Sequence, residues 1–385
     1  MDKETTKILS QTNFNKNTNN FCKYLLYGIF MICIFNLGFI IINNGINNKN
    51  CLNYWKEINY QLNQLEYLLK KNYQSKNISF NEHDMAKNEE FNEYTKKYYE
   101  QLQTNFCLNS SNFNNLEIEN MIEKVLISYD NHTFNIFIYK ENDIISESIH
   151  NNGVWNADVS HNFLSSLNFF SIKKNLSKDN VYFIDIGANI GWYSYFLGNS
   201  GYQVLSFEPS KFNNYVLKKN YCLNKDVKII IINKSVNIQN KNCFLGHKIS
   251  NIGESILICN KKLNLYKNNY FIEEISMTKL SNYISFLSNK NIALMSLNLD
   301  GSEEKAIIGG QALIIKYHIP FIYMKFIPKL LENQSTNIKL FLEFFEINGY
   351  KFSLIDFLSK EYISIDELLK RNGVNLYIIY SNFFE

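Results

Sequence analysis

The chain has 385 residues, of which 46% are apolar and 15% aromatic. That suits one large packed domain with an appendage and excludes a wholly disordered protein. The formal net charge is +3, and Arg371 is the single arginine. So little guanidinium, and no lysine patch interleaved with aromatics, excludes nucleic acid as a main partner.

Asparagine makes up about one residue in six. Asparagine-rich runs therefore carry little functional information. The N-x-S/T sequons at Asn77, Asn109, Asn131, Asn175, Asn233 and Asn333 fix no compartment for the same reason. The seven cysteines show neither C-x-x-C nor metal-ligand spacing, so no metal site is expected. An odd number forbids complete internal pairing, and most are read as small buried apolar residues.

Residues 1–23 read as a polar tail. Tyr24–Ile42 is free of charge and spans about 28 Å as a helix, close to the thickness of a bilayer's hydrocarbon. It is read as a single transmembrane helix, with a cleaved signal peptide as the rival. Lysines flank it on both sides, so sidedness is barely readable; a cytosolic N-terminus is weakly preferred. The expected localisation is a single-pass protein of an endomembrane. Residues 43–114 are assigned to a linker and helical stalk, with apolar residues at helical spacing between Trp55 and Leu69.

The globular domain is placed at 115–385. It opens with two strands around a turn, VLISYD and FNIFIYKEND. Strand Val181–Asp185, helix Trp192–Gly198, strand Gln203–Phe207, helix Ser210–Leu223 and strand Val227–Ile232 follow. Residues 237–276 read as an insertion of short strands and loops. A short helix near Leu280–Leu287 leads to strand Ile292–Leu299. Then come helix Glu303–Lys316, strand Ile319–Phe326, helix Ile338–Asn348, and the strands Tyr350–Ile355 and Leu376–Tyr380. Alternating strands and helices imply right-handed crossovers and a doubly wound, mostly parallel α/β sheet of seven strands.

One motif carries the chemistry. In VYFIDIGANIG (Val181–Gly191) a buried strand ends in Asp185, and a turn with Gly187, Asn189 and Gly191 opens a helix at Trp192. Glycines let the backbone bend tightly and approach a ligand, and free N–H groups at the helix start suit a carboxylate. Asp185 could accept from an ammonium. Glu208 follows 23 positions later at the tip of the next strand, where an acid can accept both ribose hydroxyls. The turn lacks the second glycine of G-x-G-x-x-G. That favours S-adenosylmethionine over a nicotinamide dinucleotide.

These residues resemble the FkbM-type methyltransferases, from about Asp143 to Ile355. DIGANIGWYS (Asp185–Ser194) and SFEPS (Ser206–Ser210) are similar almost letter for letter. NDIISESIHNNGVW (Asn142–Trp155) and LDGSEEKAIIGG (Leu299–Gly310) resemble the family's leading segment and second motif. The resemblance implies a Rossmann-like methyltransferase sheet, S-adenosylmethionine held by Asp185, Gly187, Asn189, Gly191, Trp192 and Glu208, and O-methylation of a hydroxyl on a small molecule or glycan. Asp300 and Glu303 are the acids left as catalytic or acceptor-binding candidates, each equally readable as a helix-start acid.

Several positions depart from the family pattern: Asn156, Ser281, Ser296, Asn298, Asp300 and Lys325. They cluster on the acceptor side, so either the acceptor differs or catalysis is impaired, and the chain then acts as a binding or scaffold module. His161 is a minor candidate for the pocket.

Overall fold

The computed structural model describes residue 97 and residues 99–108, 116–238, 242–248, 251–259 and 270–385. The expected membrane helix at Tyr24–Ile42, the tail before it and most of the stalk lie outside the described residues. Among the described residues, no helix is long and apolar enough to cross a membrane.

A short helix, α1 (Leu116–Met121), leads into a hairpin of β1 (Ile122–Tyr129) and β2 (His132–Tyr139). Asp130 and Asn131 make the turn, both at positive φ (48° and 63°). Such turns match the twist of paired strands. The hairpin is where the sequence places it. Two helices come next, α2 (Ile144–Asn152) and α3 (Ala157–Lys174). The buried Asp143 caps α2 by accepting from the Ser146 amide, and Gly153 ends it in the left-handed conformation.

The doubly wound part begins with β3 (Val181–Ile186), α4 (Trp192–Asn199), β4 (Gln203–Phe207), α5 (Lys211–Leu223) and β5 (Ile229–Ile232). β6 (Ser235–Val236) comes next, and the region read as an insertion holds β7 (Asn242–Lys248), β8 (Asn251–Ile258) and most of β9 (Tyr270–Thr278). After a 3₁₀ turn and α6 (Ile284–Leu287), the chain returns to the main sheet as β10 (Asn291–Leu297), followed by α7 (Glu303–Tyr317) and β11 (Phe321–Phe326). It closes with α8 (Pro328–Asn333), α9 (Ile338–Ile347), β12 (Tyr350–Ser353), α10 (Ile365–Leu368) and β13 (Val374–Tyr380).

The main sheet has seven strands in the order β12-β13-β11-β10-β3-β4-β5. The run β11-β10-β3-β4-β5 is parallel, and β13 is antiparallel to both of its neighbours. The seven-stranded, mostly parallel sheet with a closing antiparallel pair is the expected one. Every residue of β3 is buried. Val181 and Phe183 join one apolar cluster, while Tyr182, Ile184 and Ile186 join the other. Burial on both faces explains why these strands read as unbroken apolar runs.

The insertion is more ordered than its sequence suggests. Its strands form a second sheet in the order β6-β9-β7-β8. Cysteine usage also differs from expectation: Cys107 bonds Cys222 and Cys243 bonds Cys259. The spacing gave no hint, because the partners of Cys107–Cys222 lie 115 residues apart and meet only through the fold.

Residues 99–108 are helical and lie against the main sheet. The buried Gln103 donates through Nε2 to the Ile229 carbonyl (2.9 Å) and accepts from the Ile231 amide (3.0 Å). One side-chain amide thus pairs with the free edge of β5 as a neighbouring strand would.

Candidate active site

Parallel strands end together at one rim of the sheet, and ligands of open α/β folds bind beyond those ends. Asp185 and Ser296 are aligned neighbours on β3 and β10, and Ser296 is aligned with Tyr323 on β11. One step further out come Gly187, Asn298 and Lys325, with Asn375 of β13 paired to Lys325. These residues line a cavity completed by Ile145, Trp155, Asn156 and the start of α4. A second cavity is lined by Glu208, Pro209, Asn213, Asp300 and Ser302. Gly187, Asn189 and Asn298 line both, so the two cavities meet at the β3–α4 turn.

The glycines shape that turn. Gly187 has φ +83°, and a Cβ there would sit 2.2 Å from the Asn298 carbonyl oxygen. Gly191 has φ +94°, and its Cβ would sit 2.3 Å from Leu217 Cδ1. The turn's own amides are spent internally. Those of Gly187 and Ala188 donate to the Phe207 carbonyl (2.9 and 3.0 Å), and that of Gly191 donates to the Ala188 carbonyl (2.8 Å). The Asn189 amide donates to Glu208 Oε2 (2.8 Å), and the Ile190 amide to Asn189 Oδ1 (2.6 Å). The first intrahelical bond runs from the Tyr195 amide to Gly191 (2.8 Å). That leaves the helix-start amides of Trp192 and Tyr193, rather than those of the glycine turn, as the donors suited to a carboxylate.

Asp185 is buried at 2% exposure. Ser194 Oγ donates to its Oδ2 (2.6 Å) and Ser296 Oγ to its Oδ1 (2.7 Å). Burial raises its pKa to about 6, with the serine hydrogen bonds pulling the other way. Glu208 accepts from the Asn189 amide and, through Oε1, from the Ser210 amide (2.9 Å). Burial raises its pKa to about 7, opposed by those amides and by His247. Each Glu208 oxygen keeps lone-pair capacity for a further donor.

Trp192 is buried and donates from Nε1 to Ser160 Oγ (2.9 Å) while stacking on Phe196. It lines the first cavity. Asp300 lines the second cavity, on the same side as Glu208. Glu303 lines neither. Its carboxylate accepts from the Leu299 and Gly301 amides (both 3.0 Å) and braces the β10–α7 turn. Burial raises its pKa to about 7. His161 is exposed and lines neither cavity; its nearest acid is Asp130 at 3.8 Å. Asn156, Ser296, Asn298 and Lys325, four of the departing positions, all line the first cavity.

Sequence reasoning missed several lining residues. Tyr193 and Tyr323 carry hydroxyls that burial holds protonated, with pKa values raised well above the usual range. Leu245, Ser255 and Leu257 of the second sheet wall the Glu208 cavity. Behind them, His247 Nε2 lies 2.6 Å from Glu273 Oε1, and Glu273 also accepts from the Lys211 amide at the start of α5. No motif marks this wall, because it comes from an insertion that becomes a sheet only by folding back.

A family model described as the methyltransferase FkbM domain matches residues 185–352, from the first strand-end acid to the edge strand β12. Residues 185–352 are thus similar to an FkbM methyltransferase domain. No curated protein matches the chain. Among solved structures, it is similar to a precorrin-6y C5,15-methyltransferase from Geobacter metallireducens GS-15, with 11% identity over 56% of this chain and 86% of that one, TM-score 0.29. It is also similar to M. jannaschii TYW2 in complex with AdoMet, with 10% identity, 66% and 84% coverage and TM-score 0.29. The bifunctional kinase-methyltransferase WbdD shows 10% identity, 62% and 44% coverage and TM-score 0.35, so this chain spans under half of that protein. The matched segment contains Asp185, Glu208, both glycines, Asp300 and Lys325. The leading segment with Trp155 and Asn156, and Asn375 of β13, lie outside the match.

Proposed function

We propose that the chain is an S-adenosylmethionine-dependent O-methyltransferase acting on a hydroxyl of a sugar or small metabolite. The observation that supports this most is the pair of buried acids at adjacent strand tips, each bordering one of two cavities that meet at a glycine turn. The residues fit the cofactor. The amides of Trp192 and Tyr193 suit its carboxylate, Asp185 its ammonium and Glu208 its ribose diol. When bound, the sulfonium supplies an already activated methyl group. The first cavity then orients the acceptor oxygen in line with it, which is how position alone lowers the barrier.

Membrane attachment through Tyr24–Ile42 and residence in an endomembrane belong to the same proposal. The two disulfides support an oxidising compartment for the domain. Titration of the detergent-solubilised full chain with S-adenosylmethionine tests the cofactor; absence of binding overturns the proposal. Methyl transfer from labelled cofactor into hydroxylated acceptors tests the reaction.

A second reading is favoured by one observation. In the first cavity the single lining carboxylate, Asp185, already takes two serine hydroxyls, which leaves no acid placed as a base. A non-catalytic binding module would bind cofactor and transfer nothing.

A further inference from the structure

The charge lining the first cavity is unlike that of the second. Its lining holds one carboxylate and one cation. The carboxylate, Asp185, is buried, accepts from Ser194 and Ser296, and is taken by the cofactor's ammonium in the proposed complex. The cation, Lys325, is exposed on β11, two residues beyond Tyr323 on the same face of the strand. Its cross-strand neighbour is the neutral Asn375, whose Oδ1 accepts from the Tyr323 hydroxyl (2.9 Å). No hydrogen bond or ion pair engages the Lys325 ammonium among the described residues. The other side-chain groups around the mouth, on Asn156, Asn298, Tyr193 and Tyr323, are neutral.

An ammonium at a rim of neutral amides and phenols attracts an anion, and no lining acid competes for it. The same lining is poor for a cationic acceptor, which would meet Lys325 with no free carboxylate to offset the repulsion. We infer that the methyl acceptor is itself an acid, a carboxylate-bearing sugar or hydroxy acid, and that its anionic group pairs with Lys325 while its hydroxyl faces the donor. This inference rests on the proposed O-methyltransferase reading and deepens it by naming the acceptor class.

The step balances without a residue that keeps the proton. The hydroxyl oxygen forms a bond to the methyl carbon, and the carbon–sulfur bond breaks with its electron pair going to sulfur. The hydroxyl proton passes to solvent. The neutral thioether leaves, and the acceptor keeps its anionic group.

Matched probes separate the acceptor class from the reaction. Trp155 and Trp192 line the cavity, so their fluorescence reports occupancy without turnover. With S-adenosylhomocysteine present, methyl glucuronide should quench the full-length protein, whereas methyl glucoside at the same concentration should not. Lys325→Ala should weaken the glucuronide at least tenfold, Lys325→Arg should retain most of it, and the affinity for S-adenosylhomocysteine should not move. Equal binding of the acidic and neutral probes, binding of neither, or no effect of Lys325→Ala overturns the inference.

With labelled S-adenosylmethionine, the product from the glucuronide should be an alkali-stable ether. An alkali-labile methyl ester would support the anionic acceptor while overturning the hydroxyl as nucleophile. Lysine-dependent glucuronide binding without any transfer would support the inference about Lys325 and sink the enzyme reading.

Discussion

Asp185 is held by two serine hydroxyls in a buried setting, and its proton affinity follows from that burial. A pKa of about 6 means that the ionised form needed to hold an ammonium is lost in mild acid. Cofactor affinity should fall roughly tenfold as pH drops from 7 to 5, because binding then has to displace a proton. Titration calorimetry across that range measures it, and Asp185→Asn should give weak binding with a flatter profile. Glu208→Ala should cost about 1–3 kcal/mol of cofactor affinity through lost hydrogen bonds to the diol.

Protons also set the stability of the cofactor-free fold, with a definite sign. Asp185, Glu208 and Glu303 have folded-state values of about 6, 7 and 7, raised by burial. Unfolded carboxyls titrate near pH 4, so between roughly pH 4 and 7 the folded chain binds more protons than the unfolded one. Their contribution to stability is therefore present at low pH, declines as pH rises through that window and is flat above it. His132, lowered by burial, pulls in the opposite sense. Denaturant midpoints between pH 4.5 and 8 should fall, and excess cofactor should reverse the trend. A rise without cofactor would contradict these buried acids.

The same contrast of position appears among the glycines. Gly187→Ala forces a Cβ onto the Asn298 carbonyl and should cost more than about 3 kcal/mol, read as a lost or greatly lowered thermal transition. Gly153 also has positive φ but opens onto empty space, so Gly153→Ala should cost only about 1 kcal/mol.

At the scale of elements, the parallel strands were legible because burial on both faces writes them as apolar runs such as IIII at β5. The placement of Asp185, Gly187 and Glu208 beside the cavities was legible because a glycine turn between two acid-tipped strands is a local pattern. Helices α2 and α3 were not assigned in the sequence, where asparagines fall among their apolar residues. The second sheet was read only as scattered strands, because pairing between β7 and β9 depends on contacts across the insertion. Its role as a cavity wall was invisible for the same reason.

The Cys243–Cys259 bond fastens that wall, joining the start of β7 to the residue after β8. Serine at both positions should weaken cofactor binding while leaving the main sheet's unfolding transition nearly in place. The Cys107–Cys222 bond closes a far longer loop, worth up to about 5 kcal/mol in the chain-entropy account. Serine at that pair should lower the melting temperature and spare cofactor affinity at low temperature. Calorimetry with and without cofactor distinguishes the two pairs; identical effects would refute the division.

For the molecule as a whole, the order of strands placed acceptor-side residues from four separate segments around one cavity. That convergence explains why the departing residues could be flagged individually in the sequence but not read as one neutral and cationic rim. The proposed membrane attachment would bear on how such a rim meets its acceptor, since a tethered domain samples acceptors held at or near the same surface. Removing residues 1–43 should leave cofactor binding intact in solution and shift the protein from the membrane to the soluble fraction.

Gln103 has a consequence for how the molecule behaves in company. Four consecutive isoleucines on an outermost strand, whose Ile229 carbonyl and Ile231 amide would lack partners without Gln103, would form a template on which another copy could add. The glutamine occupies that template from within the same chain. A protein begun at residue 115 would uncover it and should form concentration-dependent, sheet-rich aggregates, whereas one begun at residue 82 should stay monodisperse by light scattering.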